Sequence, residues 1–236
     1  MINSTGSDHD WPVTTLLGGL SRPARAALLT RGAEVEQPRG RAILRQGALE
    51  RHVYVLLNGM VKVTAATENG HEALLGIRIG GDLVGEMGAL EGRRRTANVV
   101  ACGPLVTRVL QHSELTDVMT RYPEIAIGIS KMISARLRSA NRRRIEFTAH
   151  SARMRVCRVL IELMIDHGVQ RGEHRILDVP LTQPELASLA GIKSRTVEKE
   201  LRSLQALGVV EWRYRRISVI DMARLRSMAN EAESRM

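Results

Sequence analysis

The segment from Leu181 to Val210, LTQPELASLAGIKSRTVEKELRSLQALGVV, constrains the fold more than any other stretch of the chain. Thr182, with Glu185 three residues later, forms a capping box in which each side chain satisfies a backbone N–H at a helix start. Pro184 falls in the first turn, where a missing N–H costs nothing. Leu186, Leu189 and Ala190 then share one face, and Gly191 stands where the chain must turn sharply. A second helix turns Val197, Leu201 and Leu204 inward and Ser194, Arg195, Glu198, Lys199 and Arg202 outward. Two short helices, a tight turn and a basic outer face are the layout of a helix-turn-helix whose second helix enters a major groove. The segment alone also fits an ordinary amphipathic helix pair. The next stretch, GVVEWRYRRISV ending at Val219, alternates apolar and basic residues as a wing would, with Arg213, Arg215 and Arg216 near DNA phosphates.

The charge distribution agrees with that reading. Residues 1–130 hold 14 basic and 13 acidic side chains, whereas residues 131–236 hold 21 and 12, so nearly all of the net charge of +10 lies in the C-terminal part. A near-neutral module joined to a polyanion-binding one is the organisation this implies. Aromatic residues make up only 3% of the chain, too few for a single-strand stacking platform. Met1–Trp11 is polar and acidic rather than basic then apolar, and no run reaches membrane-spanning length, so a cytoplasmic protein without membrane contact is expected. Cys102 and Cys157 share no spacing motif, which points to two inert thiols rather than a disulfide or zinc ribbon.

Between a disordered tail over residues 1–10 and the helix-turn-helix, the periodicity changes twice. Val13–Ala33 has helical patterning, with Ser21 as a cap before Pro23. Short β-prone runs follow at Ala42–Leu44, Val53–Leu57, Val61–Ala65, Leu74–Ile79 and Val99–Leu110, punctuated by glycine turns, which predicts an antiparallel barrel or sandwich. Asn58-Gly59 and Asn69-Gly70 read as two-residue hairpins. Pro123–Thr148 reads as one long helix, with Ala126, Ile129, Ile133, Leu137, Ala140 and Phe147 as a dimerisation seam that Arg144 interrupts. A helix over Ala152–His167, a loop over Gly168–Glu173 and a strand over Arg175–Leu181 lead into the helix-turn-helix.

Within the β-rich part, GGDLVGEMGALEGRRRTA over residues 80–97 carries a second chemistry. Glycine lets backbone N–H groups approach an anion, and the start of a short helix at Met87–Leu90 stabilises a phosphate. Arg95 can add a charge-assisted contact, Thr96 a hydroxyl, and the Glu86 carboxylate can accept from sugar hydroxyls.

Together, Gly85-Glu86-x₈-Arg95-Thr96-Ala97 and Leu181–Leu204 make the chain resemble the cAMP receptor protein and fumarate-nitrate regulator (Crp/Fnr) family over roughly residues 12–222. The resemblance implies an α+β architecture: an N-terminal cyclic-nucleotide-binding β-roll, jelly-roll-like, over residues 12–121; a dimerisation helix over 122–149; and a C-terminal winged helix-turn-helix over 150–236. It implies a homodimeric transcription regulator of double-stranded DNA, controlled by a cyclic nucleotide, cAMP or cGMP, with no covalent cofactor and with RNA polymerase as a further partner. Gly85, Glu86, Met87, Arg95, Thr96, Ala97, Ala140 and Asn141 would form the ligand site. Arg95 would pair with the cyclic phosphate, Thr96 would bond it, and Glu86 would accept from the ribose 2′-hydroxyl. Thr182, Lys193, Ser194, Arg195, Thr196, Glu198, Lys199, Arg202, Arg213 and Arg215 would face DNA.

The chain departs from the family in three places. Ala140 and Asn141 stand where cAMP-responsive members carry a Thr-Ser pair against adenine. Ser194 and Arg195 replace the usual arginine and glutamate of the recognition helix, and glutamate accepts from cytosine where arginine donates to guanine. Two distant cysteines cannot hold the four-thiolate cluster of the iron-sulfur members. The seven histidines show no metal-ligand spacing, and no nucleophile elbow or Walker loop is present, so an enzyme is not expected. A member that binds DNA without a nucleotide, or senses another ligand or haem through His52 or His112, is the alternative.

Overall fold

The computed structural model describes residues 11–66, 70, 72–172, 174–177, 179–213 and 215–230. The predicted tail over residues 1–10, and Asn69 of the second predicted hairpin, lie outside the described residues. The chain divides into two compact units, Met1–Val63 with Ile77–Arg136 and Thr64–Gly76 with Leu137–Met236.

Two helices, α1 (Leu16–Gly19) and α2 (Arg22–Leu29), open the first unit. They fall within the helical patterning expected over Val13–Ala33, and the second begins at the expected Ser21 cap. Ser21 is extended and caps Ala24 N–H, and Pro23 follows in the first turn, so the chain restarts a helix there rather than continuing one. Strands β1 (Ala33–Gln37), β2 (Ala42–Leu44), β3 (Val53–Asn58), β4 (Met60–Ala66), β5 (Glu72–Ile79) and β6 (Leu83–Val84) follow. Helix α3 (Glu86–Glu91) precedes β7 (Asn98–Ala101) and β8 (Leu105–Leu110), and the Gly103-Pro104 turn splits the run expected as one strand. The strands form two four-stranded sheets, ordered β1-β8-β3-β6 and β2-β7-β4-β5. Asn58-Gly59 is therefore not a hairpin. It carries the chain from β3 in one sheet to β4 in the other, a corner of the roll.

Ile43, Leu44, Leu56, Val61, Val84, Val99 and Leu105 are buried as one cluster of the roll. After α4 (His112–Arg121), the helix α5 (Pro123–Ala149) supplies Ile125, Ile129 and Met132 to a second cluster with Leu17, Leu28, Val53 and Leu110. This corrects the seam read from sequence at Ile129. Ile129 faces the core of its own unit, whereas Leu137, also on the expected seam, is 59% exposed, as are Ile127 and Ile145 at 55% and 66%.

In the second unit, α6 (Ala152–His167) is followed by a hairpin of β9 (Gly168–Arg171) and β10 (His174–Leu177), where a loop was expected before the second strand. Gly172, at φ +60°, supplies the turn that lets Arg171 pair with His174. Helices α7 (Gln183–Ala190) and α8 (Ser194–Ala206) come next, then β11 (Val210–Arg213), β12 (Arg216–Val219) and α9 (Met222–Asn230). The sheet order is β11-β12-β10-β9. Val156, Leu160 and Met164 of α6, Leu186 of α7, and Val197, Leu201 and Leu204 of α8 are all buried. Full burial of such a side chain stabilises by about 1.5–3 kcal/mol, which holds α8 with its basic face outward.

Candidate functional site

In the roll, the turn from β6 into α3 depends on Gly85, which caps the helix at φ +88°, a conformation that glycine adopts without cost. Its carbonyl accepts from Arg95 Nη1 at 2.6 Å. Arg95 Nη2 donates to the His52 carbonyl, and backbone bonds from Gly47 to Arg95 and from Arg95 to Ala48 hold the arginine loop in place. The Arg95 side chain is 4% exposed, and its Nε has no hydrogen-bond partner among the described residues. Burial lowers the guanidinium from its ordinary value, yet an arginine stays charged. A buried cation with an unspent donor is costly unless an anion meets it. That donor set fits a phosphate.

Glu86 is also buried, and Arg136 of α5 holds it through Nη1 at 2.7 Å. Arg136 Nη2 donates to the Leu83 carbonyl at 2.9 Å and stands 3.7 Å from Asp82, whose carboxyl burial raises above its usual range. Beside Arg95, His52 packs edge-on against Tyr54 with ring centroids 5.1 Å apart. Burial, then the Arg95 charge, keeps the His52 imidazole below its ordinary value. Thr96 and Met87 are exposed and Ala97 half-buried, all beside the buried pair Glu86 and Arg95. Ala140 and Asn141 follow Arg136 along α5 and are exposed.

Sequence reasoning missed Arg136. The signal was present: Ile125, Ile129 and Met132 share a face at helical spacing, and Arg136 continues it. A charge on an apolar stripe requires a partner, and Glu86 is that partner.

In the second unit, Thr182 caps α7. Its hydroxyl accepts from Glu185 N–H at 3.3 Å while the Glu185 carboxylate accepts from Thr182 N–H at 2.7 Å, which completes the predicted box. Gly191 ends α7 at φ +62°, and the Phe147 ring lies against it, with the Arg155 guanidinium over that ring at 5.8 Å. Phe147 thus packs against the Gly191 turn with part of its ring, while 40% of the residue stays exposed. Lys193 caps α8; Lys193, Arg195, Lys199 and Arg202 are exposed, and Ser194, Thr196 and Glu198 are half-buried. Arg213 and Arg215 flank the turn of the β11–β12 wing, where Arg215 takes φ +63° and its carbonyl accepts from Leu181 N–H. Every residue expected at DNA thus lies on or caps α7 or α8, or lies on the wing.

Among the described residues, no group of three or more His, Cys, Asp or Glu could hold a metal ion. No helix there is long and apolar enough to cross a membrane.

The cyclic nucleotide-binding domain family matches residues 34–122, and the Crp-like helix-turn-helix domain family matches residues 154–228. The CRP-like cAMP-activated global transcriptional regulator of Mycobacterium tuberculosis is 26% identical over 88% of this chain and 92% of its own length. The cyclic AMP receptor protein of Thermus thermophilus is 28% identical over 81% of this chain and 86% of its own. A CRP/FNR family transcriptional regulator from Thermus thermophilus has the same fold, with a TM-score of 0.71 over 84% of this chain and 98% of its own at 24% identity. The roll with its buried Glu86 and Arg95, followed by a capped helix-turn-helix in one chain, carries these matches to one conclusion: the protein belongs to the Crp/Fnr family of transcription regulators, with a cyclic nucleotide-binding domain and a DNA-binding helix-turn-helix.

Proposed function

We propose that the protein is a homodimer whose DNA binding is switched by a cyclic nucleotide, cAMP or a close relative, held in the roll. The observation that carries this is the buried Arg95 guanidinium beside the buried Glu86, at the turn where Gly85 opens α3. The cyclic phosphate takes Arg95 and the exposed Thr96 hydroxyl, and the ribose hydroxyl takes a Glu86 oxygen. Met87 and Ala97 border the site, and Ala140 and Asn141 meet the base. Arg136 already holds Glu86. A sugar hydroxyl that competes for that carboxylate therefore acts directly on the long helix. A ligand moves a two-state equilibrium only by its differential affinity, and about 5.5 kcal/mol turns a mostly inactive population into a mostly active one.

In this reading residues 12–121 sense, 122–149 pair two copies, and 150–236 bind double-stranded DNA. Lys193, Ser194, Arg195, Thr196, Glu198 and Lys199 lie in the major groove, Thr182, Arg202, Arg213 and Arg215 lie at phosphates, and RNA polymerase is the further partner. A second reading, DNA binding without a nucleotide, draws on a different observation: Arg95 and Glu86 already have protein partners that a purely structural role would explain. Fluorescence anisotropy of a labelled duplex, taken from a pool selected with the purified protein, separates the two. The sensor reading predicts at least tenfold tighter binding with saturating cAMP or cGMP; equal affinity with and without either nucleotide supports the second.

A further inference from the structure

Helix α8 buries Val197, Leu201 and Leu204, so the line diametrically outward runs through Arg195, Lys199 and Arg202, at helical spacings of four and three. Every charged side chain on that line is a hydrogen-bond donor. The two carboxylates of the helix are both already paired. Glu198 sits at the edge of the outward line and holds Arg202 at 2.5 Å. Glu200 accepts from Arg153 of α6 at 3.0 Å, and its side chain is only 12% exposed. Arg153 is anchored a second time on Ser203 of α8 at 2.9 Å, so Glu200 cannot turn to a groove without breaking a two-point clamp.

Base edges in the major groove differ in what they offer. Guanine presents two acceptors, N7 and O6, which an arginine or lysine satisfies, whereas cytosine presents a donor, N4–H₂, which a carboxylate accepts best. We infer that this protein reads its half-site through guanine acceptors alone, Arg195 on one guanine and Lys199 on a second, with no carboxylate reading a cytosine. Arg202, tied back by Glu198, serves the phosphates. The inference rests on the DNA-binding reading above and adds the chemistry of the site that is bound. Four residues of helix advance about 6 Å. Base pairs rise about 3.4 Å, so the two guanines fall about two base-pair steps apart, on either strand.

The test is selection of duplexes from a randomised pool by the full-length protein, with anisotropy on the enriched sequence and its variants. The expected half-site has two G·C pairs within about two steps. Replacing either guanine by 7-deazaguanine, which removes only the N7 acceptor, weakens binding severalfold, and a wrong base pair at either position weakens it by about 5- to 150-fold. Arg195→Ala flattens the preference at one of the two positions and Lys199→Ala at the other, while Arg202→Ala weakens all sequences alike. Arg195→Glu exchanges the strands at its position, so that cytosine is selected where guanine was. Enrichment of half-sites without G·C pairs overturns the inference, as does a preference untouched by both Arg195→Ala and Lys199→Ala. Binding that is salt-dependent but without sequence enrichment overturns it while leaving DNA binding intact; no binding at low salt removes the DNA-binding reading as well.

Discussion

Gly191 shows how much one position can carry. A Cβ there would lie 2.3 Å from a Phe147 ring carbon, at a φ of +62° that side chains rarely adopt. Gly191→Ala therefore combines a left-handed backbone cost of about 1 kcal/mol with displacement of a packed ring. We expect a loss of about 2–3 kcal/mol in urea unfolding. Phe147→Ala should remove the ring part, so the double variant loses less than the two singles added, and full additivity would show that the ring is not the obstacle. Arg95 teaches a different lesson. Its spacing from Gly85 made it a candidate phosphate contact, but its burial and its bonds to the Gly85 and His52 carbonyls were not legible, because both acceptors are backbone atoms brought close only by the roll. Removing it outright strands two carbonyls at about 1–3 kcal/mol each, so Arg95→Gln, which keeps an amide donor, is the cleaner probe.

Helix α5 marks the limit of periodicity at the scale of elements. Its extent was legible almost to the residue, and its phase was not. A heptad-like spacing through Ile129, Ile133, Leu137 and Phe147 looked like one seam, yet those residues divide between a core, an exposed face and the Gly191 turn. One helix can serve several partners, and a pattern of apolar residues does not say which partner each meets. The exposed apolar residues of the helix are Leu137 of that seam together with Ile127 and Ile145, beside Asn141. If two copies pair through α5, those residues form the contact, and Leu137→Glu with Ile145→Glu should shift sedimentation at micromolar concentration from dimer to monomer while leaving the circular dichroism unchanged. A monomeric wild type, or a double variant that stays dimeric, would contradict it. By contrast, α7 and α8 were read correctly because their caps are local: Thr182, Glu185 and Gly191 act within one turn of themselves.

For the whole molecule, order along the chain was more informative than any single motif. Glycine-punctuated strands, a long helix, and then a capped helix pair with concentrated positive charge point to a sensor joined to a DNA reader. What sequence could not give was connectivity at a distance, such as Asn58-Gly59 joining two sheets, or Arg136 reaching Glu86 from 50 residues away. That ion pair gives the nucleotide reading its route from pocket to helix. The measurement closest to the central claim is titration calorimetry of the purified protein with cAMP and cGMP, repeated on Arg95→Gln. The account predicts binding of at least one nucleotide and a weakening of about 10- to 150-fold in the variant, the worth of a charge-assisted contact. No heat from either nucleotide, or undiminished affinity in Arg95→Gln, would contradict it.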